Sequence, residues 1–235
     1  MKLCVHIEKA GYDEEQPTIE NIQFSVGEGE LVGLIGPNGA GKSTTIKTIL
    51  GLTKHVKGNI YWNGTSKYAY IPEQPSFYDE LTLWEHIIAL GTFLQEEESA
   101  FYSRANQLIE QFSLEQVIHE YPGTFSKGMQ QKLMLIHAFL MKPDMYIIDE
   151  PFIGLDPIAN RLFLDMLKEE QRRGKGILLC THVLDTAEKI CDRFLLLSNG
   201  CLLMEGTLGE LREKTGISQG SLLDCFYFAI KGRSL

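Results

Sequence analysis

The chain has 235 residues, 44% of them hydrophobic, and a formal net charge of −9. That length and apolar content can bury a sizeable core in a single domain, and no internal repeat or low-complexity linker divides it. No apolar run approaches the roughly 20 residues of a membrane span, the start lacks a signal-peptide core, and the acidic balance argues against nucleic acid as a partner.

Alternation of Leu3, Val5 and Ile7, then of Ile19, Ile22, Phe24 and Val26, predicts an N-terminal β region. Its turns are expected at Ala10-Gly11 and Gly27-Glu28-Gly29. The apolar run Leu31–Ile35 reads as a buried strand, and Thr44–Leu50 as a helix stopped by Gly51. Between them lies Gly36-Pro37-Asn38-Gly39-Ala40-Gly41-Lys42-Ser43, followed by Thr44. This fits G-x-x-x-x-G-K-[ST] in its required strand–loop–helix context. Glycines let backbone N–H groups curl around an anion, and the helix N-terminus adds partial positive charge. Lys42 can then reach the β- and γ-phosphates, and the Ser43 hydroxyl can ligate Mg²⁺. The motif predicts a bound nucleotide.

Further strands are expected at Asn59–Trp62, closed by Asn63-Gly64, and at Lys67–Ile71. The segment from about 76 to 142 turns helical: Leu83–Leu94 opened by a Thr82/Glu85 capping box, then Ala100–Phe112, then Gly128–Met141. Glu96-Glu97-Glu98 reads as a solvated helix start rather than a metal site. After Pro143, α/β alternation resumes: strand Met145–Ile148, helix Ala159–Arg173, strand Gly176–Cys180 and helix Leu184–Cys191. Phe194–Leu197 and Leu202–Glu205, joined by Asn199-Gly200, read as a β-hairpin, and the tail at about 207–235 as helical. The five scattered cysteines read as reduced and structural.

Four further residues complete a candidate hydrolytic site. The strand Met145–Ile148 runs into Asp149-Glu150-Pro151, and adjacent strand residues face opposite ways, so the two acids can divide their labour. Asp149 is placed to hold Mg²⁺ and Glu150 to polarise a water at the γ-phosphate. Gln74, within Pro72-Glu73-Gln74-Pro75, can ligate Mg²⁺ or hold water. His182, after the strand Gly176–Cys180 and Thr181, can contact the γ-phosphate and keep Glu150 in line.

These motifs, in this order over nearly the whole chain, resemble the ATP-binding subunits of ABC transporters. The resemblance implies a P-loop NTPase core with an N-terminal antiparallel β subdomain and an inserted α-helical signature subdomain. It implies that Tyr12 stacks on adenine, that Gln74 is the Q-loop glutamine, that Asp156 in Gly154-Leu155-Asp156 belongs to the D-loop, and that His182 is the switch histidine. The signature, usually Leu-Ser-Gly-Gly-Gln, falls at Phe125-Ser126-Lys127-Gly128-Met129. Ser126 and Gly128 are kept for a γ-phosphate, while Phe125, Lys127 and Met129 depart from the pattern. With Tyr146–Phe152 and Ile71-Pro72-Glu73, that variant is similar to the ATPase subunit of Ecs-type bacterial exporters. The family implies Mg-ATP bound between two ATPase subunits, identical or homologous, which drive integral membrane permease subunits. The chain is then expected in the cytoplasm, peripheral on the membrane through its permease. Phe77, Tyr78 and Leu81 near Gln74 would form the docking groove. Two other readings stay open: a soluble ABC-type ATPase acting on ribosomes or DNA, and a regulatory module with little turnover, suggested by Lys127 and Met129.

Overall fold

The computed structural model describes residues 1–63 and 67–231. Its described strands form one nine-stranded sheet in the order β4-β1-β2-β9-β8-β3-β7-β6-β5. At the centre lie β3 (Leu31–Ile35), β6 (Met145–Asp149) and β7 (Gly176–Thr181), parallel to one another and buried along their whole length. Helices cover both faces of such a sheet, which is why these strands are continuous apolar runs without alternation. β5 (Tyr68–Ile71) extends the parallel part beside β6, and β8 (Arg193–Ser198) joins β3 on the other side.

The register fixes where chemistry can occur. Leu34 and Asp149 both stand level with Cys180, and Ile71 stands level with Ile148. The carboxyl ends of β3, β5, β6 and β7 therefore form one rim, the place where ligands bind in open α/β sheets. The phosphate loop, Glu73-Gln74, Glu150 and His182 all follow these strand ends directly.

β1 (Leu3–Gly11), β2 (Ile19–Val26) and β4 (His55–Trp62) form the antiparallel part. This part is continuous with the core sheet, because Glu20 of β2 pairs with Cys201 of β9 (Cys201–Gly206). Ala10-Gly11, expected as a turn, is strand: Ala10 pairs with both Ile19 and Val56, and Gly11 with His55. Ladder pairing overrides the local preference of glycine for turns. The same pairing starts β4 at His55, earlier than its sequence pattern suggests, since an edge strand shows only weak alternation. The Gly64 half of the expected Asn63-Gly64 turn lies outside the described residues.

The helices match their sequence signals closely. α1 (Lys42–Ile49) follows the phosphate loop, and α2 (Leu83–Leu94) opens with the expected reciprocal box between Thr82 and Glu85. α3 (Glu98–Gln111) is capped by Glu97, whose carboxylate accepts from Ser99 N and Ala100 N, while Glu96 pairs with Arg104 and Lys142. The triple glutamate is thus a helix start. α2, α3 and α4 (Lys127–Leu140) pack around Phe101, Ile109, Leu133 and Ile136 in a core that also covers one face of the central sheet. α5 (Pro157–Arg172) and α6 (Leu184–Ile190) complete the α/β layers. The β8–β9 hairpin turns at Asn199-Gly200, both at positive φ. The tail divides into α7 (Leu208–Thr215) and α8 (Leu222–Lys231), separated at Gly216, and residues 232–235 lie outside the described residues. All five cysteines are free. No described helix is long and apolar enough to cross a membrane.

Candidate active site

The loop between β3 and α1 is built to approach an anion closely. Gly41 precedes the helix at φ 101°, and a Cβ there would lie 2.6 Å from Ile19 Cγ2, so only glycine fits. No side chain caps α1, which leaves its first N–H groups available to a ligand. Lys42 is buried, and its ammonium donates to Gly36 O at 2.8 Å and Pro37 O at 3.2 Å. Ala40 is buried behind the loop, and its N–H donates to Pro37 O at 3.1 Å. Asn38, Gly39, Gly41, Lys42, Ser43 and Thr44 line a cavity of about 360 Å³. That is a size found for small-molecule sites.

Glu150 and His182 form the facing wall. Glu150 sits at φ 47°, an uncommon conformation for a residue with a side chain, held by its N–H bond to Cys180 O at 2.9 Å. Its buried carboxylate has three neighbours. Oε1 lies 2.8 Å from His182 Nδ1 and 3.7 Å from Lys42 Nζ, and Oε2 accepts from Thr181 Oγ1 at 3.1 Å. An ionised carboxylate only accepts, so His182 Nδ1 carries the proton and Nε2 is left for other contacts. Thr181, fully buried, also accepts from Val183 N at 3.1 Å and so is itself fixed.

Asp149 is 2% exposed, and its Oδ1 has no hydrogen-bond partner. Burial pushes its carboxyl above the usual range, the Ser43 hydroxyl and Cys180 thiol pull it back, and the charges of Glu150 and Glu73 add to the rise. A buried acceptor left unpartnered beside a hydroxyl at a phosphate loop is the donor set of a hard divalent cation. Mg²⁺ fits these residues.

Other expected residues stand elsewhere. Gln74 is exposed and does not line the cavity; its neighbour Glu73 does. β5 ends at Ile71, and Glu73 and Gln74 both lie exposed in the connection beyond Pro72, outside the reach of strand alternation. Tyr12 is 57% exposed with the Lys47 ammonium 5.9 Å from its ring centre, outside the cavity wall. Ser126 is the exposed N-cap of α4 and accepts from Met129 N at 3.2 Å. Gly128 lies against the loop after Glu150: a Cβ there would meet Gly154 O at 2.4 Å. Asp156 caps α5 by accepting from Ala159 N at 2.8 Å and pairs with Lys132 at 2.8 Å, which helps hold its carboxyl below the usual range. None of Ser126, Gly128 and Asp156 lines the cavity of its own chain. Met129 is half-buried against the helical core, which accounts for an apolar residue at that position, while Lys127 is exposed. Phe77 packs inward on the same core beside His86 and His137, and Tyr78 is exposed.

Thr18, Glu73 and Ile153 also line the cavity, and Thr181, which the sequence places only as the neighbour of His182, anchors Glu150. Of these, only Thr181 carried a usable signal: a hydroxyl one residue before a candidate histidine. The assembled groups suit attack of water on a phosphoanhydride: amides and an ammonium for phosphate, a bare acidic oxygen for a cation, and a glutamate held by two neighbours.

The chain is similar to known proteins. The family model described as ABC transporter matches residues 19–153. The ABC transporter ATP-binding protein YthP of Bacillus subtilis is 61% identical over 229 residues, covering 97% of each chain. The ABC-type transporter ATP-binding protein EcsA of the same organism is 42% identical over 220 residues, covering 89% of each. A solved structure of an ATP binding subunit of an ABC transporter superposes with a TM-score of 0.92 at 42% identity, covering 98% of this chain and 100% of that one.

Proposed function

The chain belongs to the ABC transporter ATP-binding family, and from that premise we propose that it powers substrate export by hydrolysing Mg-ATP in a site shared with a second ATPase subunit. It is an ABC-type ATPase and the ATP-binding subunit of a transporter complex. The observation that carries the finer reading is the convergence of Lys42, Glu150 and His182 on one cavity.

Within that reading each residue has a task. The amides of Gly36–Ser43 and the Lys42 ammonium hold the phosphates, which requires Lys42 to leave the Gly36 and Pro37 carbonyls it now contacts. Ser43 and Asp149 hold Mg²⁺, whose charge offsets that of the phosphates when it is bound. Glu150 orients the attacking water and takes its proton, and His182 fixes Glu150 by donating from Nδ1. Tyr12 is exposed and free to meet the base. Gln74, at the mouth of the same rim, is read as the reporter toward the permease, with Tyr78 exposed beside it.

Ser126 and Gly128 sit at the start of α4, outside their own chain's cavity, which supports their serving the nucleotide held by another subunit. Asp156, beside them through its pairing with Lys132, stands to contribute from the same surface. The simplest second subunit is another copy of this chain. Export is favoured over import by the exporter-like form of Ser126–Met129. With no described helix able to span a bilayer, attachment to the inner membrane face falls to the permease subunits. The test is the concentration dependence of steady-state hydrolysis. A shared site predicts specific activity that rises with protein concentration until dimers dominate; constant specific activity down to nanomolar protein would contradict it.

A further inference from the structure

The His182 side chain is 48% exposed, so close packing around its ring does not fix it beside Glu150. Its position is set by the backbone on either side. Before it stands Thr181, level with Ile35 at the ends of β7 and β3. After it comes α6, which starts two residues on and is only seven residues long. A helix that short is not stable alone, and no side chain caps its N-terminus. Its far end is tied to the sheet, where Asp192 Oδ2 accepts from Leu31 N at 2.8 Å. The end next to His182 depends on what packs against it.

What packs there is the C-terminal helix. Ala187 of α6, fully buried, shares a core with Leu222, Cys225 and Phe226 of α8 and with Ile35, Phe194 and Leu196 of the sheet; Leu184 packs against the same core. Ile35 directly precedes Gly36, so α8 covers the apolar layer behind both the phosphate loop and the segment after His182. A polar bond also joins the two helices: the half-buried Glu188 carboxylate accepts from Leu222 N at 2.7 Å. α8 does not need this bond in order to begin. Ser221 Oγ accepts from Asp224 N at 3.2 Å, and Asp224 Oδ2 accepts from Ser221 N at 2.8 Å, which is a complete local cap. The uncapped helix α6 is the one that gains, through a charged acceptor held at the positive end of α8.

We propose that Glu188 is a positioning residue for hydrolysis: by tying α6 to α8 it holds His182 against Glu150. The inference rests on the reading of Glu150 and His182 as the hydrolytic pair. Neither Glu188 nor any residue of α8 lines the cavity, so the tie acts on the chemical step and not on ATP binding.

Steady-state phosphate release by the full chain across ATP concentrations tests it, with urea midpoints measured alongside. Glu188→Ala should lower kcat about fivefold and leave KM for ATP near its original value. Glu188→Gln should restore most of the loss, because an amide oxygen still accepts from Leu222 N. Phe226→Leu keeps Glu188 but loosens α8 on the shared core, and should lower kcat in the same direction. A kcat for Glu188→Ala within about twofold of the unaltered protein, whether or not stability falls, would overturn the proposal. So would a Glu188→Gln protein as slow as Glu188→Ala, or a change confined to KM. His182→Ala separates the two levels. If it hydrolyses ATP at the unaltered rate, the reading of His182 fails; if it is slowed while Glu188→Ala is not, only the role of Glu188 fails.

Discussion

Replacing Thr181 by valine keeps the shape of a fully buried side chain and removes its hydroxyl. Two bonds are lost: the donation to Glu150 Oε2 at 3.1 Å and the acceptance from Val183 N at 3.1 Å. A hydrogen bond to a charged group contributes about 1.5–3 kcal/mol. Glu150 keeps its contact to His182 at 2.8 Å, so one of two anchors survives and the lower end applies. At about 1.4 kcal/mol per factor of ten, kcat should fall about tenfold. Thr181 does not line the cavity, so KM for ATP should stay near its original value. Steady-state phosphate release across ATP concentrations reads both quantities, and Thr181→Ser should restore most of kcat by returning the hydroxyl. A kcat for Thr181→Val within about twofold of the unaltered protein would refute the argument that Thr181 holds the glutamate.

Two further outcomes follow from packing and burial. Gly128→Ala places a methyl 2.4 Å from Gly154 O, so the start of α4 must move away from the loop after Glu150. Urea denaturation should show a loss of about 1–3 kcal/mol, and hydrolysis should fall with it because Ser126 is displaced; unchanged stability would mean that the contact is slack. His137 is buried, and desolvation, helped by the nearby His86, lowers its pKa to about 4. The unfolded chain protonates this histidine at about pH 6.5 and the folded one does not, so stability present above that pH drains away as pH falls toward 4. The loss amounts to about 3 kcal/mol over that interval. His137→Phe should flatten the pH dependence of urea midpoints between pH 6.5 and 4, and an identical slope in the variant would contradict it.

The parts of the fold that were readable from sequence are those whose causes are local. The phosphate loop is eight consecutive residues with its own strand and helix, and the Thr82/Glu85 box and the Asn199-Gly200 hairpin close over a few positions. Asp149-Glu150 and His182 were readable because a buried strand announces each of them. What escaped depends on register between distant segments. Thr181 reaches Glu150 because Asp149 stands level with Cys180 across β6 and β7, a pairing no local pattern encodes. That Glu73 and not Gln74 lines the cavity depends on the path of the connection after β5, which has no periodic pattern to read. Asp156 was visible as part of a motif and its cap on Ala159 is local, but its pairing with Lys132 requires α4 and the start of α5 to be side by side. Gly11 became strand because its pairing with His55, next to Ala10 paired on both sides, outweighs its own preference.

The central claim is that the Lys42–Glu150 cavity is half of a hydrolytic site, completed by Ser126 and Gly128 of a second subunit. Glu150→Gln keeps the size of the side chain and removes the base, so ATP should bind without being turned over. Gel filtration of this variant with and without Mg-ATP tests the claim directly. The account predicts a stable dimer only with Mg-ATP, together with loss of phosphate release. A variant that stays monomeric at all concentrations with Mg-ATP and hydrolyses at the unaltered rate would contradict it.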